Sequence, residues 1–249
     1  MDPNEAVTVQ PQLSRRLLLA SAAGLTAAAI VPSAWAQSKG KIMPKADSAL
    51  IVVDVQNCFV PGGSLAVGKG DEIIPLINAI AAKFQNVVMT QDWHTANHVS
   101  FASQHPGKKP FETIKLPYGT QVLWPDHCVQ GTDGAAIHKD IKIPHAQLVI
   151  RKGFNPLVDS YSAFIEADGK SKTGLDGYLR GRRIKNVYVV GLATDFCVGW
   201  TAIDARKLGL NAFVIEDACR GIDTNGSLAK AWASMSKAGV KKIQSADLA

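Results

Sequence analysis

A doubly wound parallel β-sheet with helices on both faces, built as a single domain, is the α/β fold that this 249-residue sequence predicts. Three observations predict it. Short apolar runs rich in β-branched residues recur along the chain, helical patterns alternate with them, and the first run stops at an acid, Asp54. Runs that are apolar at successive positions suit parallel strands covered on both sides. Alternation of such runs with helices implies crossover units in one sheet.

The chain opens with a segment that does not belong to that domain. Residues 1–16 are polar and end in Ser14-Arg15-Arg16. From Leu17 to Val31 there is no charge, and Ala34-Trp35-Ala36 follows just before Gln37. A basic start, a short apolar stretch and a small-x-small site form a secretory signal. Paired arginines before a mildly apolar, Ala-rich stretch are the twin-arginine form. The apolar stretch is shorter than the ~20 residues a spanning helix needs. Cleavage after Ala36, a periplasmic location and no stable membrane association of the mature chain are therefore expected. The domain then occupies 37–249.

Within it, strands are predicted over 49–54, 86–91, 147–151, 186–192 and 210–216, with a weaker one at 240–243. Helical patterns fall at 71–84, 174–182, 195–208 and 227–238. The segment from Asp92 to His145 reads as irregular and is rich in Pro, Gly and His. So long a loop inside a compact domain is commonly functional.

Composition narrows the function classes. Hydrophobic residues make up 47% and charged residues 19%, which excludes a disordered chain. Four cysteines are too few for a disulfide-dense scaffold. The net charge is +6, and it stays +6 without residues 1–36, which carry two acids and two bases. The densest basic set, Arg180, Arg182, Arg183 and Lys185, has no interleaved aromatics, so no nucleic-acid partner is expected.

Ligands of open parallel sheets bind at the carboxyl ends of the strands. That rule selects Asp54 after the first strand, Asp92 and His94 after the second, Lys152 after the third and Cys197 after the fourth. Cys197 follows Gly191-Leu192-Ala193-Thr194-Asp195-Phe196, a strand-to-helix connection. A helix N-terminus favours a thiolate there, and free amides of the turn suit an oxyanion. Asp54 can exchange the thiol proton, and Lys152 can stabilise both anions by charge. Taken singly, each residue has a structural alternative: a buried thiol, a cap, a surface charge. Their joint placement at three strand ends argues for a Cys-Asp-Lys triad.

The long segment holds a second constellation. Asp92 and His94 stand two apart, on one side of an extended chain. His98 comes four residues later, and His127 lies in Trp124-Pro125-Asp126-His127-Cys128. One carboxylate with two or three imidazoles suits one divalent ion such as Zn, Fe or Mn. Cys128 is a poor further ligand, because adjacent side chains diverge in extended chain. His105, His138 and His145 have no comparable partners.

Several segments together resemble one family. They are Val53-Asp54-Val55-Gln56-Asn57-Cys58-Phe59, Thr90-Gln91-Asp92-Trp93-His94-Thr95-Ala96-Asn97-His98, Trp124-Pro125-Asp126-His127-Cys128-Val129, Arg151-Lys152-Gly153, Asn155 to Phe164 and Ala193-Thr194-Asp195-Phe196-Cys197-Val198. They look like nicotinamidases, within the isochorismatase-like cysteine hydrolases, in order from about residue 47 to the end. The resemblance implies hydrolysis of nicotinamide to nicotinate and ammonia through a thioacyl enzyme, a step of NAD salvage. It implies Cys197 as nucleophile, Asp54 as base and acid, and Lys152 as third triad member. Asp92, His94 and His127 become metal ligands, and His98 a further ligand seen in some members. Amides of Ala193 and Cys197 form the oxyanion hole, and the Leu192–Ala193 bond is cis. Phe59, Trp124 and Tyr161 flank the pyridine ring. Members occur as monomers and as larger assemblies, so a homo-oligomer is compatible.

Two rival readings stay open at this point. One is a related hydrolase of another small amide or carbamoyl compound. The other is a non-catalytic periplasmic metal-binding protein. One departure also stands out: Cys58 occupies a position where members usually carry an acid. An exported chain meets an oxidising compartment, yet Cys197 must stay reduced to work. The expectation is that Cys58, Cys128, Cys197 and Cys219 are all unbridged.

Overall fold

The first strand, β1 (Ser48–Val53), is buried at every position. Its side chains alternate between the two faces, as strand geometry requires. Leu50 and Val52 join one core, while Ala49, Ile51 and Val53 join the other. Each fully buried aliphatic side chain of this kind contributes ~1.5–3 kcal/mol. The strand is therefore the spine of the domain.

The computed structural model describes residues 40–249. The export signal read at 1–36, and the start of the domain at Gln37, lie outside the described residues. Strands β2 (Asn86–Asp92), β3 (Thr113–Leu116), β4 (Gly119–Val122), β5 (Leu148–Lys152), β6 (Asn186–Leu192), β7 (Asn211–Arg220) and β8 (Lys241–Ile243) follow in chain order. Six of them form one parallel sheet in the order β5-β2-β1-β6-β7-β8. The chain winds outward from β1 in one direction and then restarts at β6 in the other. Between β1 and β6 lies the topological switch point, where a doubly wound sheet opens a crevice at its carboxyl edge.

Helices cover both faces, as the sequence predicts. Helix α1 (Ile74–Ala81) buries Ile74, Ile77 and Ile80 at helical spacing, with Pro75 in its first turn. It packs against the Leu50–Val52 face together with Val87, Tyr188 and Val190. The opposite face carries α2 (Leu175–Gly181), α3 (Gly199–Lys207) and α4 (Ser227–Lys237), through Leu175, Leu179, Ala202, Ala205 and Met235. Among the described residues no helix is long and apolar enough to cross a membrane.

Two boundaries differ from the sequence reading. The segment 92–145 is not wholly irregular: β3 and β4 pair as an antiparallel hairpin within it. Their burial alternates weakly, so the strands carry little apolar signal to read. The helical pattern from Asp195 splits into a π-turn over Thr194–Val198 and then α3. The turn is closed by Phe196 N–H and Val198 N–H, which both donate to Ala193 O at 3.1 Å.

Candidate active site

Every strand at the switch point delivers one chemically capable side chain to the carboxyl edge. Asp54 follows β1 at φ +48°, an uncommon backbone conformation for a non-glycine residue. Thr90 on β2 fixes it there: Asp54 N–H donates to Thr90 Oγ1 at 3.1 Å, and the Thr90 hydroxyl donates to Asp54 Oδ1 at 2.5 Å. Gly191 on β6 lets the two central strands approach, since a Cβ there would lie 2.1 Å from Val53 O. Beyond it the Leu192–Ala193 bond is cis, as the family resemblance implies.

Lys152, the last residue of β5, is fully buried at the centre of this edge. Its Nζ lies 2.9 Å from Asp54 Oδ2, pairs directly with Asp92 Oδ1, and stands 3.5 Å from Cys197 Sγ. It also donates to Ser160 O at 3.2 Å. Among the described residues, Asp54 Oδ2 is met by this ion pair with Lys152. The structure thus brings Cys197, Asp54 and Lys152 together as the strand-end rule requires.

The charge balance differs from the expected resting thiolate. Burial pushes the Cys197 thiol well up, Asp54 and Asp92 add to the rise, and Lys152 opposes it. Burial likewise raises Asp54, helped by Asp92 and opposed by Lys152 and Thr90. For Asp92, burial is outweighed by Lys152, His94 and His127, which hold it well below the usual carboxylate range. One ammonium cannot neutralise a thiolate and two buried carboxylates at once. Burial and the two carboxylates thus favour the protonated form of the Cys197 thiol, against the pull of Lys152.

The second constellation assembles on the other side of Lys152. Ligand atoms of Asp92, His94 and His127 all lie within 4.8 Å of one another. His94 Nε2 is 3.6 Å and His127 Nε2 is 3.9 Å from Asp92 Oδ2. The other ring nitrogens are tied down, His94 Nδ1 to Gly153 O and His127 Nδ1 to Pro125 O, each at 2.8 Å. Backbone partners of this kind orient imidazoles for a metal. One carboxylate oxygen and two converging Nε2 atoms fit a divalent ion with open positions left over. Gly153 also sets the spacing, because a Cβ there would lie 2.5 Å from His94 Cε1.

His98 stays outside that set, but its ligand atom lies within 4.8 Å of those of His94 and Asp159, a second group that could hold an ion. Its ring packs on His94 with centroids 4.2 Å apart, but Nδ1 faces Ser100 Oγ and Nε2 faces Val158 O. Ser100, two residues on, and the distant Val158 carbonyl together hold the ring in this orientation.

A pocket of about 330 Å³, open mouth included, joins the two constellations. Phe59, Trp124 and Tyr161 all line it, beside Cys197 and Ala193. Trp124 Nε1–H and Gln121 Nε2–H both donate to Tyr161 Oη at 3.1 Å. Phe196, Asp159 and Ile222 are lining residues that sequence reasoning missed. Phe196 stands directly before Cys197 and packs edge-on to Trp124 with centroids 4.8 Å apart. Its place in the turn was the available signal. Ile222 had none: Asp195 draws it in by accepting from Ile222 N–H and Asp223 N–H at 3.0 and 2.9 Å.

The expectation of four unbridged cysteines is overturned. Cys58 and Cys128 form a disulfide across 70 residues of sequence, while Cys197 and Cys219 are free. The reason is tertiary: the turn after β1 and the loop carrying His127 fold against one another, with Cα atoms 5.7 Å apart.

Known proteins resemble this chain in sequence and fold. The Isochorismatase domain family matches residues 48–247. A nicotinamidase of Acinetobacter baylyi is 62% identical over 200 residues, covering 80% of this chain and 94% of that protein. A solved structure of a nicotinamidase–pyrazinamidase from Acinetobacter baumanii is 64% identical, covers 82% of this chain and 98% of its own, and superposes with a TM-score of 0.81. A pyrazinamidase of Pyrococcus horikoshii solved in complex with zinc is 37% identical, covers 80% of this chain and 99% of its own, and has a TM-score of 0.66. The chain belongs to the isochorismatase family, on its nicotinamidase branch.

Proposed function

We propose that this chain hydrolyses nicotinamide to nicotinate and ammonia, with Cys197, Asp54 and Lys152 as its catalytic residues. The observation that carries the reading is the placement of Lys152 Nζ, 2.9 Å from Asp54 and 3.5 Å from Cys197, at the edge of an aromatic-lined pocket. Asp54 takes the thiol proton as Cys197 Sγ adds to the carboxamide carbon. Amides of Ala193 and Cys197 receive the oxyanion. Asp54 then protonates the departing nitrogen, and ammonia leaves a thioacyl enzyme. Asp54 takes a proton from a water whose oxygen adds to that carbonyl; the C–S bond then breaks, Asp54 returns the proton to the Cys197 sulfur, and the acid released ionises to nicotinate. Lys152 stays protonated throughout: burial alone would lower it, but Asp54 and Asp92 raise it well above the ordinary range. It holds the carboxylates in place while the proton moves.

Asp92, His94 and His127 are the residues that would hold a divalent ion, with zinc, iron and manganese all compatible with one carboxylate and two imidazoles. When bound there, such an ion would supply positive charge beside the substrate ring and so help position it. Phe59, Trp124 and Tyr161 flank that ring, and His98 supports His94 from behind. The twin-arginine pattern at residues 1–36 supports a periplasmic site for the reaction, and a mature N-terminus at Gln37 is its expected mark. Nicotinate formed there feeds recovery of pyridine nucleotides.

Ammonia release from a panel of nicotinamide, pyrazinamide, simple aliphatic amides and carbamoyl compounds tests the reading. Preference for the two ring carboxamides is expected. Preference for a carbamoyl compound would point to the related hydrolases, and no release from any substrate would leave only a metal-binding protein.

A further inference from the structure

We infer that the Cys58–Cys128 disulfide is a positioning clamp for the metal-ligand loops, so that the oxidation state of these two cysteines sets how firmly the site holds its ion. This rests on the reading of Asp92, His94 and His127 as ligands. Three observations converge on it.

Cys128 directly follows His127 and adopts φ +45°, an uncommon conformation for a non-glycine residue. Its carbonyl oxygen accepts from His94 N–H at 3.1 Å, and Gln130 N–H returns a bond to His94 O at 2.8 Å. The backbone at Cys128 is thus the joint between the two imidazole-bearing segments. Cys58 sits in the turn Asn57–Phe59, and that turn braces the third ligand. Gln56, next to it, donates from Nε2 to Asp92 O and accepts at Oε1 from Asp92 N–H, both at 2.8 Å. Phe59 packs its ring against His127 with centroids 5.5 Å apart. The disulfide therefore closes a ring of contacts: Gln56 to Asp92, Cys58 to Cys128, Cys128 to His94.

Both sulfurs belong to residues that are 1% exposed, so the bond is sheltered once formed. Cys197 lies apart from the pair, against Lys152, and the clamp leaves the nucleophile free. Formation is thiol–disulfide exchange with a disulfide partner, such as oxidised glutathione. The two thiols lose two protons and two electrons, and the partner's disulfide is reduced to two thiols. A polar partner behind a metal ligand commonly changes metal affinity by about 10–100-fold. A covalent brace between two ligand loops acts on the same orientation.

The full chain, prepared and kept reduced, is compared with the same protein after oxidised glutathione. Alkylation under denaturing conditions counts the thiols, and zinc loss to an excess of chelator is timed. The oxidised form should show two alkylatable cysteines, Cys197 and Cys219, and should lose zinc at least about tenfold more slowly. Its KM for nicotinamide should be lower, with kcat within about twofold, because the clamp orients ligands and touches no reacting atom. The double variant Cys58→Ser, Cys128→Ser should match the reduced form whether or not oxidant is present. Four alkylatable cysteines after oxidation would overturn the clamp, as would equal zinc loss from both forms. Zinc bound by neither form would refute the ligand set itself, a different failure.

Discussion

The two halves of the site are held by different means. Asp54, Lys152 and Cys197 stand at the ends of β1, β5 and β6, or just beyond, so the central sheet holds them. His94, two residues past β2, and His127 sit on loops whose shape carbonyls, a glycine and a disulfide hold. The sheet half concentrates charge, with one ammonium among two carboxylates and a thiol. The loop half is made of imidazoles: burial and the neighbouring His94 push His127 down to about 4, against weaker upward pulls from Asp92 and the Pro125 carbonyl. The difference teaches that chemistry requiring a fixed proton path sits on strands, whereas the positioning half depends on supports assembled across the sequence. Damage to the first should abolish turnover, and damage to the second should weaken binding.

The largest effect should follow from Cys197→Ala. Turnover of nicotinamide should fall at least about 10⁴-fold, with bound metal and the melting temperature little changed. An ammonia-release assay beside metal analysis checks it, and substantial residual turnover would remove Cys197 from its role. Next comes Lys152→Met, which leaves Asp54 and Asp92 buried without their shared cation. Breaking such a pair costs about 3–5 kcal/mol of folding stability. Urea unfolding reads it, and an unchanged midpoint would show that the carboxylates do not depend on this lysine.

The loop half is probed by Gly153→Ala, whose new Cβ would meet the His94 ring. Metal affinity should drop about 10–100-fold while kcat at saturating metal stays within a few-fold. Equal losses in kcat and affinity would blur the division between the halves. Smallest is Tyr161→Phe, which removes the acceptor of the Trp124 and Gln121 hydrogen bonds. A cost of about 1 kcal/mol corresponds to roughly fivefold, expected in KM, and steady-state kinetics distinguishes it from a loss in kcat.

Much of the sheet half was legible along the chain. β1 is apolar at nearly every position because it is covered on both faces, and it stops at Asp54 because the chain must leave the sheet there. Strand ends then named Asp54, Asp92, Lys152 and Cys197 without reference to contacts. The metal set was legible as residue types, since Asp92 and His94 are neighbours in sequence. The orientation of His98 was not, because it depends on Ser100 and Val158. Nor was the hairpin of β3 and β4, whose exposed positions leave no clear alternation to read.

The sequence by itself determined the alternation of strands and helices, the chemistry at the strand ends and the donor types of the metal set, because local periodicity and residue type carry that information. Tertiary structure alone decided the strand order that puts β6 beside β1, the raised proton affinity of the Cys197 thiol, the entry of Ile222 into the pocket and the joining of Cys58 to Cys128. Each of these depends on which distant segments meet and on how much water their meeting removes. No window along the chain contains both partners.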